Sequence, residues 1–302
     1  MGYKLAGFDV LGGVEIDPEM MKVYRTNHNP KHSYLMGVEQ FNKIPNDQLP
    51  KELFNLDILD GSPPCSSFSM AGSREKAWGE KKKFREGQAE QVLDDLFFHF
   101  IDTAKKLQPR IVIAENVKGL ILGKAKGYVK QIAQRFNEAG YSVQLFLLNA
   151  SFMGVPQRRE RTFFIATKSS KKLSLNFNEK IISVRESWLD LKDQQGKPLT
   201  EIQTKYWIKT RQGDSFAKAH PNDNMFTWVK LSASNPSNTV TAGPAQLHYE
   251  EPRWLSKLEH FRLQSFPDDY NLIDIDPRYI CGMSVPPFMM QRIAREVYLQ
   301  LL

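Results

Sequence analysis

Apolar residues at helical spacing mark one stretch most clearly. Val92, Leu96, Phe97, Phe100, Ile101, Ala104 and Leu107 predict a helix over 91–107. Shorter apolar runs at 10–16, 56–59, 110–114, 142–148 and 161–166 read as strands. Further helices are predicted over 19–27, with Pro18 in the first turn, and over 128–139, where Gly140 ends the helix. Helical spacing returns at 288–302. Strands alternating with helices of this length predict an α/β fold with a mostly parallel sheet and helices on both faces. Such sheets bind ligands at the carboxyl ends of their strands. Glu15, the turn at 61–65 and Glu115-Asn116-Val117 all fall just past predicted strand ends.

The alternation stops after about residue 168. A basic run, Lys168-Ser169-Ser170-Lys171-Lys172, leads into irregular sequence rich in Asn, Gln, Ser, Thr and Pro, which continues to about 252. This predicts a second, smaller domain, to which the pattern assigns no elements.

Composition narrows the class. With 302 residues, 41% hydrophobic and 25% charged, the chain can bury a large core and a small one and does not read as disordered. A net charge of +7 favours polyanionic partners without requiring nucleic acid. The two cysteines, Cys65 and Cys281, are too few for a disulfide framework and fit a reducing cytoplasm. No run approaches the length of about 18 apolar residues that a membrane helix needs. The N-terminal residues have no apolar core of signal-peptide length. No Cys/His cluster suggests zinc, and no metal is expected.

Cys65 stands in the most informative segment. In Asp57-Ile58-Leu59-Asp60-Gly61-Ser62-Pro63-Pro64-Cys65 a strand ends, a glycine permits a tight turn, and two prolines stiffen the backbone before a thiol. That setting suits a nucleophile as well as it suits a buried structural thiol. Cys281 reads as structural.

Pro64-Cys65, Glu115-Asn116-Val117 and Gln157-Arg158-Arg159-Glu160-Arg161 occur in this order, the last after Leu148-Asn149-Ala150-Ser151-Phe152-Met153-Gly154-Val155-Pro156. Arg262-Leu263-Gln264-Ser265-Phe266-Pro267 and Tyr279-Ile280-Cys281-Gly282-Met283-Ser284-Val285-Pro286-Pro287 follow. This ordered set resembles the cytosine-C5 DNA methyltransferase family of bacterial restriction-modification systems. The resemblance covers nearly the whole chain except the middle of the small domain. It implies a Rossmann-like S-adenosylmethionine-dependent methyltransferase sheet with a smaller, irregular target-recognition domain. The implied division is 1–188 catalytic, 189–271 target recognition, and 272–302 returning to the catalytic domain.

The resemblance also implies the chemistry. Cys65 would add to C6 of cytosine and make C5 nucleophilic toward the donor methyl. Glu115, its pKa raised by burial, would protonate and grip the N3 and N4 edge. Asn116 would orient backbone around it, and Arg161 would donate to O2. Arg159 is placed in the same catalytic group. The base would swing out of the duplex, and residues 72–88, with six lysines and arginines beside Trp78 and Phe84, would close over it. Glu15 would take the donor ribose, Ile16 its adenine and Asp57 its amino group, with Pro64 and Ser284 nearby.

Two departures bear on the donor. The chain contains no Phe-x-Gly-x-Gly-Gly loop, and Met283 stands where the family usually has Asn. The first suggests an internal methionine as the starting residue, a remnant gene, or a partner chain that supplies the loop. The expectation is weak donor binding or none.

Ser237-Asn238-Thr239-Val240-Thr241-Ala242 resembles the segment closing the recognition region, whose candidate base readers are Lys205, Lys209, Arg211 and Gln212. The expected protein is a cytoplasmic monomer acting on double-stranded DNA, with a cognate restriction endonuclease in the same system and no membrane partner. Three alternatives stand beside it: methylation of tRNA, a non-enzymatic nucleic-acid binder, and a cysteine hydrolase. For the last, no histidine sits in a recognisable motif.

Overall fold

The computed structural model describes residues 1–63, 81–82, 91–92, 95–122, 126–192, 194–219 and 227–302. The chain begins with α1 (Gly2–Leu5), β1 (Gly12–Glu15), α2 (Pro18–His28), β2 (His32–Leu35), α3 (Val38–Lys43) and β3 (Ile58–Gly61). Two-residue strands β4 (Lys81–Lys82) and β5 (Gln91–Val92) precede α4 (Leu96–Leu107) and β6 (Ile111–Val117). Then come α5 (Lys126–Glu138), β7 (Ser142–Asn149) and β8 (Glu160–Thr167). The remainder holds α6 (Val184–Ser187), α7 (Glu201–Lys209), β9 (Val229–Lys230), β10 (Gln246–Leu247), α8 (Lys257–Gln264), α9 (Pro277–Met283) and α10 (Pro287–Leu301).

Two compact units result. One comprises residues 1–9, 149–159 and 176–295; the other comprises 10–148, 160–175 and 296–302. Residues 149–159 and 272–295 thus group with the small-domain sequence, whereas the sequence reading divides the chain at 188 and 271.

The second unit carries the sheet, with strand order β3-β6-β8-β7 and a separate β1–β2 pair. β1 pairs β2, and β3 pairs β6, in parallel. β6 pairs β8 antiparallel, from Ile111↔Thr167 to Val117↔Arg161. A mostly parallel arrangement therefore holds up to β8. That strand returns from β7 without an intervening α-helix, and a parallel return would need a longer crossover.

Both faces of the β6–β8 ladder are buried. Val112, Ala114, Phe164 and Ala166 face Phe97, Phe100, Ile101 and Ala104 of α4 and Ile132 and Phe136 of α5. Their alternates Ile111, Ile113, Phe163 and Ile165 are equally inaccessible, which explains the unbroken apolar runs. Each of the buried Val, Ile and Phe side chains contributes about 1.5–3 kcal/mol. α4 begins at Leu96 rather than 91, because Gln91 and Val92 pair antiparallel with Lys82 and Lys81 as strand β5. A side chain at Gly61 would place its Cβ 2.5 Å from the Phe100 ring, so the β3 turn can lie against α4 only with glycine there.

In the first unit, α8 starts with a capping box, Ser256 with Glu259. Glu259 also takes two hydrogen bonds from Arg253, both at 2.8 Å. Trp188 stacks on His248 at 5.5 Å and 10°.

Candidate active site

Glu115, Asn116 and Val117 are the last three residues of β6 rather than residues beyond it, because β8 continues the ladder to Arg161. Side chains two apart share a face of a strand. Glu115 lies opposite Phe163 and Arg161 opposite Val117, so the acid and the guanidinium meet diagonally. Arg161 Nε stands 2.9 Å from Glu115 Oε1, each side chain 14% exposed. Arg161 Nη1 also donates to the Glu160 carbonyl at 2.8 Å. Burial lowers the Arg161 pKa against the opposing pull of Glu115, and an arginine stays charged through such a shift.

Asn116 points to the other face and is buried. Its Nδ2 donates to the Pro63 carbonyl at 3.0 Å, and its Oδ1 accepts from Val117 N at 2.9 Å. It therefore ties the end of β6 to the turn after β3. Pro64, Cys65 and, apart from 81–82, the segment 72–88 lie outside the described residues.

Arg159 belongs to the other unit and is 2% exposed. Its Nη1 donates to the Val240 carbonyl at 2.9 Å and its Nη2 to the Gly282 carbonyl at 2.8 Å. Gln157, fully buried, accepts from Val240 N at 2.9 Å and donates to Leu263 O at 3.0 Å and to Gln264 Oε1 at 2.6 Å. Both residues thus clasp the Thr-Val segment, a role that alternating polar sequence does not signal. Ser284, in the same unit, caps α9 and returns its hydroxyl to the Ile280 carbonyl at 2.7 Å.

On the donor side, Glu15 ends β1 and accepts from Asp17 N at 2.8 Å. Burial raises its pKa. Ile16 lies beside Gly37, where a Cβ would stand 3.7 Å from its Cδ1. Gly37, missed in the sequence, opens α3 just after β2, two short elements that the sequence reading did not assign. Asp57 precedes β3 at its amino end, away from Gly61, and pairs with Arg110 at 2.8 Å. The structure does not bring it to a carboxyl end.

Cys281 is fully buried, and burial pushes its thiol up to about 12. Of the candidate base readers, Gln212 donates to the Tyr249 carbonyl at 3.4 Å and accepts from Ala233 N at 3.1 Å, whereas Lys205, Lys209 and Arg211 are exposed. Among the described residues no group of three His, Cys, Asp or Glu side chains could hold a metal. Among them, no helix is long and apolar enough to cross a membrane.

Residues 1–299 match the family model for C-5 cytosine-specific DNA methylase. The chain is 28% identical to the type II methyltransferase M1.HphI of Haemophilus parahaemolyticus over 98% of its own length and 82% of that protein's. It is 29% identical to M.FnuDI of Fusobacterium nucleatum, covering 98% and 90%. Its fold is like that of a prophage-encoded E. coli protein assigned as a DNA modification methyltransferase, with a TM-score of 0.75 at 20% identity, covering 99% and 95%. A match that spans nearly every described element places the chain in the C-5 cytosine-specific DNA methylase family.

Proposed function

We propose that this protein methylates C5 of a cytosine extruded from duplex DNA, with Cys65 as the transient nucleophile. The observation that carries the reading is the Glu115–Arg161 pair, set at the ends of β6 and β8. Beside it, Asn116 tethers Pro63, and two peptide units separate Pro63 from Cys65.

In this reading the Cys65 thiolate adds to C6 while Glu115 gives a proton to N3. Arg161 turns its guanidinium to O2 as charge grows on the ring. C5 then carries the new electron pair. S-adenosylmethionine, when bound, supplies an electrophilic methyl group for that carbon. A base next removes the C5 proton, N3 returns its proton to Glu115, and the Cys65 sulfur leaves with its bonding pair. Glu15, a partly buried carboxylate at a strand end, fits the donor ribose, and Ile16 against Gly37 fits the adenine. Asp57 and Ser284 were also expected there; Asp57 is engaged with Arg110 and Ser284 with its own helix. Arg159 acts as a positioning residue through Val240 and Gly282. Residues 189–271 read the target.

Duplex DNA carrying 5-fluorocytosine tests the reading. Fluorine at C5 cannot leave as a proton, so the adduct persists. The parent protein, at a donor concentration high enough to offset the weak donor binding expected from the sequence, should give a DNA-linked band on a denaturing gel, and Cys65→Ser should not. No band from the parent, or an equal band from the variant, overturns the mechanism.

A further inference from the structure

Helix α7 (Glu201–Lys209) has two contrasting faces. Thr200 and Gln203 cap its first turn reciprocally, at 3.3 and 2.9 Å. On its inner side Tyr206 and Trp207 pack with Leu199, Phe216 and Leu247. Trp207 Nε1 donates to the His248 carbonyl at 2.9 Å, and Lys230 Nζ lies 3.5 Å from the Trp207 ring centroid. The helix is thus fixed by aromatic anchors from beneath.

Its outer side has no partner among the described residues. Ile202 is 65% exposed and Ile208 69%. At 100° per residue these two, with Lys205 and Lys209, share an arc of about 120°. Lys205, Lys209 and the following Arg211 form no ion pair among the described residues, and neither does Lys197 just before the helix. Elsewhere in the unit Lys180 pairs with Glu186, Arg185 with Glu250, Lys218 with Asp214, Arg262 with Asp190, and Arg292 with Glu179. Four cations with no ion pair among the described residues thus lie on and around one anchored helix, with one carboxylate, Glu201, on the same stripe.

Cations that outnumber the one carboxylate beside them call for a polyanion, and exposed isoleucines among them call for one that also offers apolar groups. A major groove offers both: phosphates along its walls and thymine methyls on its floor. A nine-residue helix is about 13 Å long, comparable with the groove's width of about 12 Å. We propose that the outer stripe of α7 lies in the major groove of the target duplex. Lys205, Lys209 and Arg211 hold phosphates or guanine edges, and Ile202 and Ile208 set sequence preference through thymine methyls. The inference rests on the duplex-DNA reading above and adds the element that selects the sequence.

The test uses the full chain, labelled duplexes and a randomised duplex pool, with tryptophan fluorescence to verify folding. K205A/K209A should bind duplex at least about tenfold more weakly and flatten the slope of log affinity against log salt by about 2. I202S/I208S should leave that slope unchanged and change the bases enriched from the pool. Parental affinity, slope and enrichment in both variants overturn the proposal. A flattened slope with unchanged enrichment overturns the assignment of specificity. The same losses on transfer RNA, with no duplex binding by the parent, overturn the choice of partner. Methyl transfer assayed in parallel separates the two readings. Unaltered transfer and site choice in the variants sinks only the α7 assignment. Duplex binding through α7 without transfer sinks only the enzymatic reading.

Discussion

Arg161 Nε and Glu115 Oε1 stand 2.9 Å apart across the β6–β8 ladder, at the carboxyl end of β6. In the proposed reaction both groups must turn to the same pyrimidine edge, so the pair that holds them ready must also open. Binding of the base therefore breaks the ion pair, which frees Glu115 to take up the proton it passes to N3 and Arg161 to turn to O2.

Removing either group should slow transfer far more than it weakens binding. Glu115→Gln and Arg161→Ala are each expected to lower single-turnover methyl transfer by about 10²–10³-fold. Duplex affinity should stay within a few-fold. Because the two side chains touch, the double variant should lose less than the product of the single losses. Turnover within about threefold of the parent in either single variant would remove that residue from the mechanism.

Gln157 and Arg159 should behave as structural clamps. Gln157→Ala strands Val240 N–H, the Leu263 carbonyl and the Gln264 amide inside the unit, at a cost of about 2–4 kcal/mol. Arg159→Met leaves the Val240 and Gly282 carbonyls without its two bonds and should cost a similar amount. Trp188, Trp207, Trp228 and Trp254 all lie in this unit, so urea unfolding followed by tryptophan fluorescence reads both variants directly. An unfolding midpoint equal to the parent's would refute the clamp.

Glu15 should oppose folding and serve binding. Burial raises its pKa in the folded chain, so the ionised form is disfavoured there relative to the unfolded chain. That penalty is present above the raised folded value and disappears as pH falls to the ordinary carboxylate range. Glu15→Gln should therefore be more stable than the parent at neutral pH and no more stable below that range. Urea midpoints at the two pH values check the sign. Calorimetry should show donor affinity lower by about tenfold or more, from loss of charge-assisted bonds. A variant that is less stable at neutral pH, or that binds donor as the parent does, contradicts the assignment.

Several elements were legible before any coordinates. The apolar spacing of 96–107 specified α4, and the unbroken apolar runs specified β6 and β8, because burial on both faces leaves no polar alternation. Glu115 and Arg161 were legible as a pair only through the ordered motifs. Neither local sequence reveals that the two strands are antiparallel neighbours. The small unit was least legible. Its elements are short, and its stability comes from buried polar ties such as Arg253–Glu259, which carry no periodic signature.

By itself the sequence determined which segments bury apolar faces and which chemistry-bearing residues end them, since propensity and periodicity act over a few neighbouring residues. Only tertiary structure decided who meets whom. Strand register, fixed by hydrogen bonds between segments more than 40 residues apart, sets Arg161 against Glu115. It also turns Arg159, two residues earlier in the chain, to the carbonyls of Val240 and Gly282. Such long-range pairings depend on three-dimensional packing, and no local pattern encodes them.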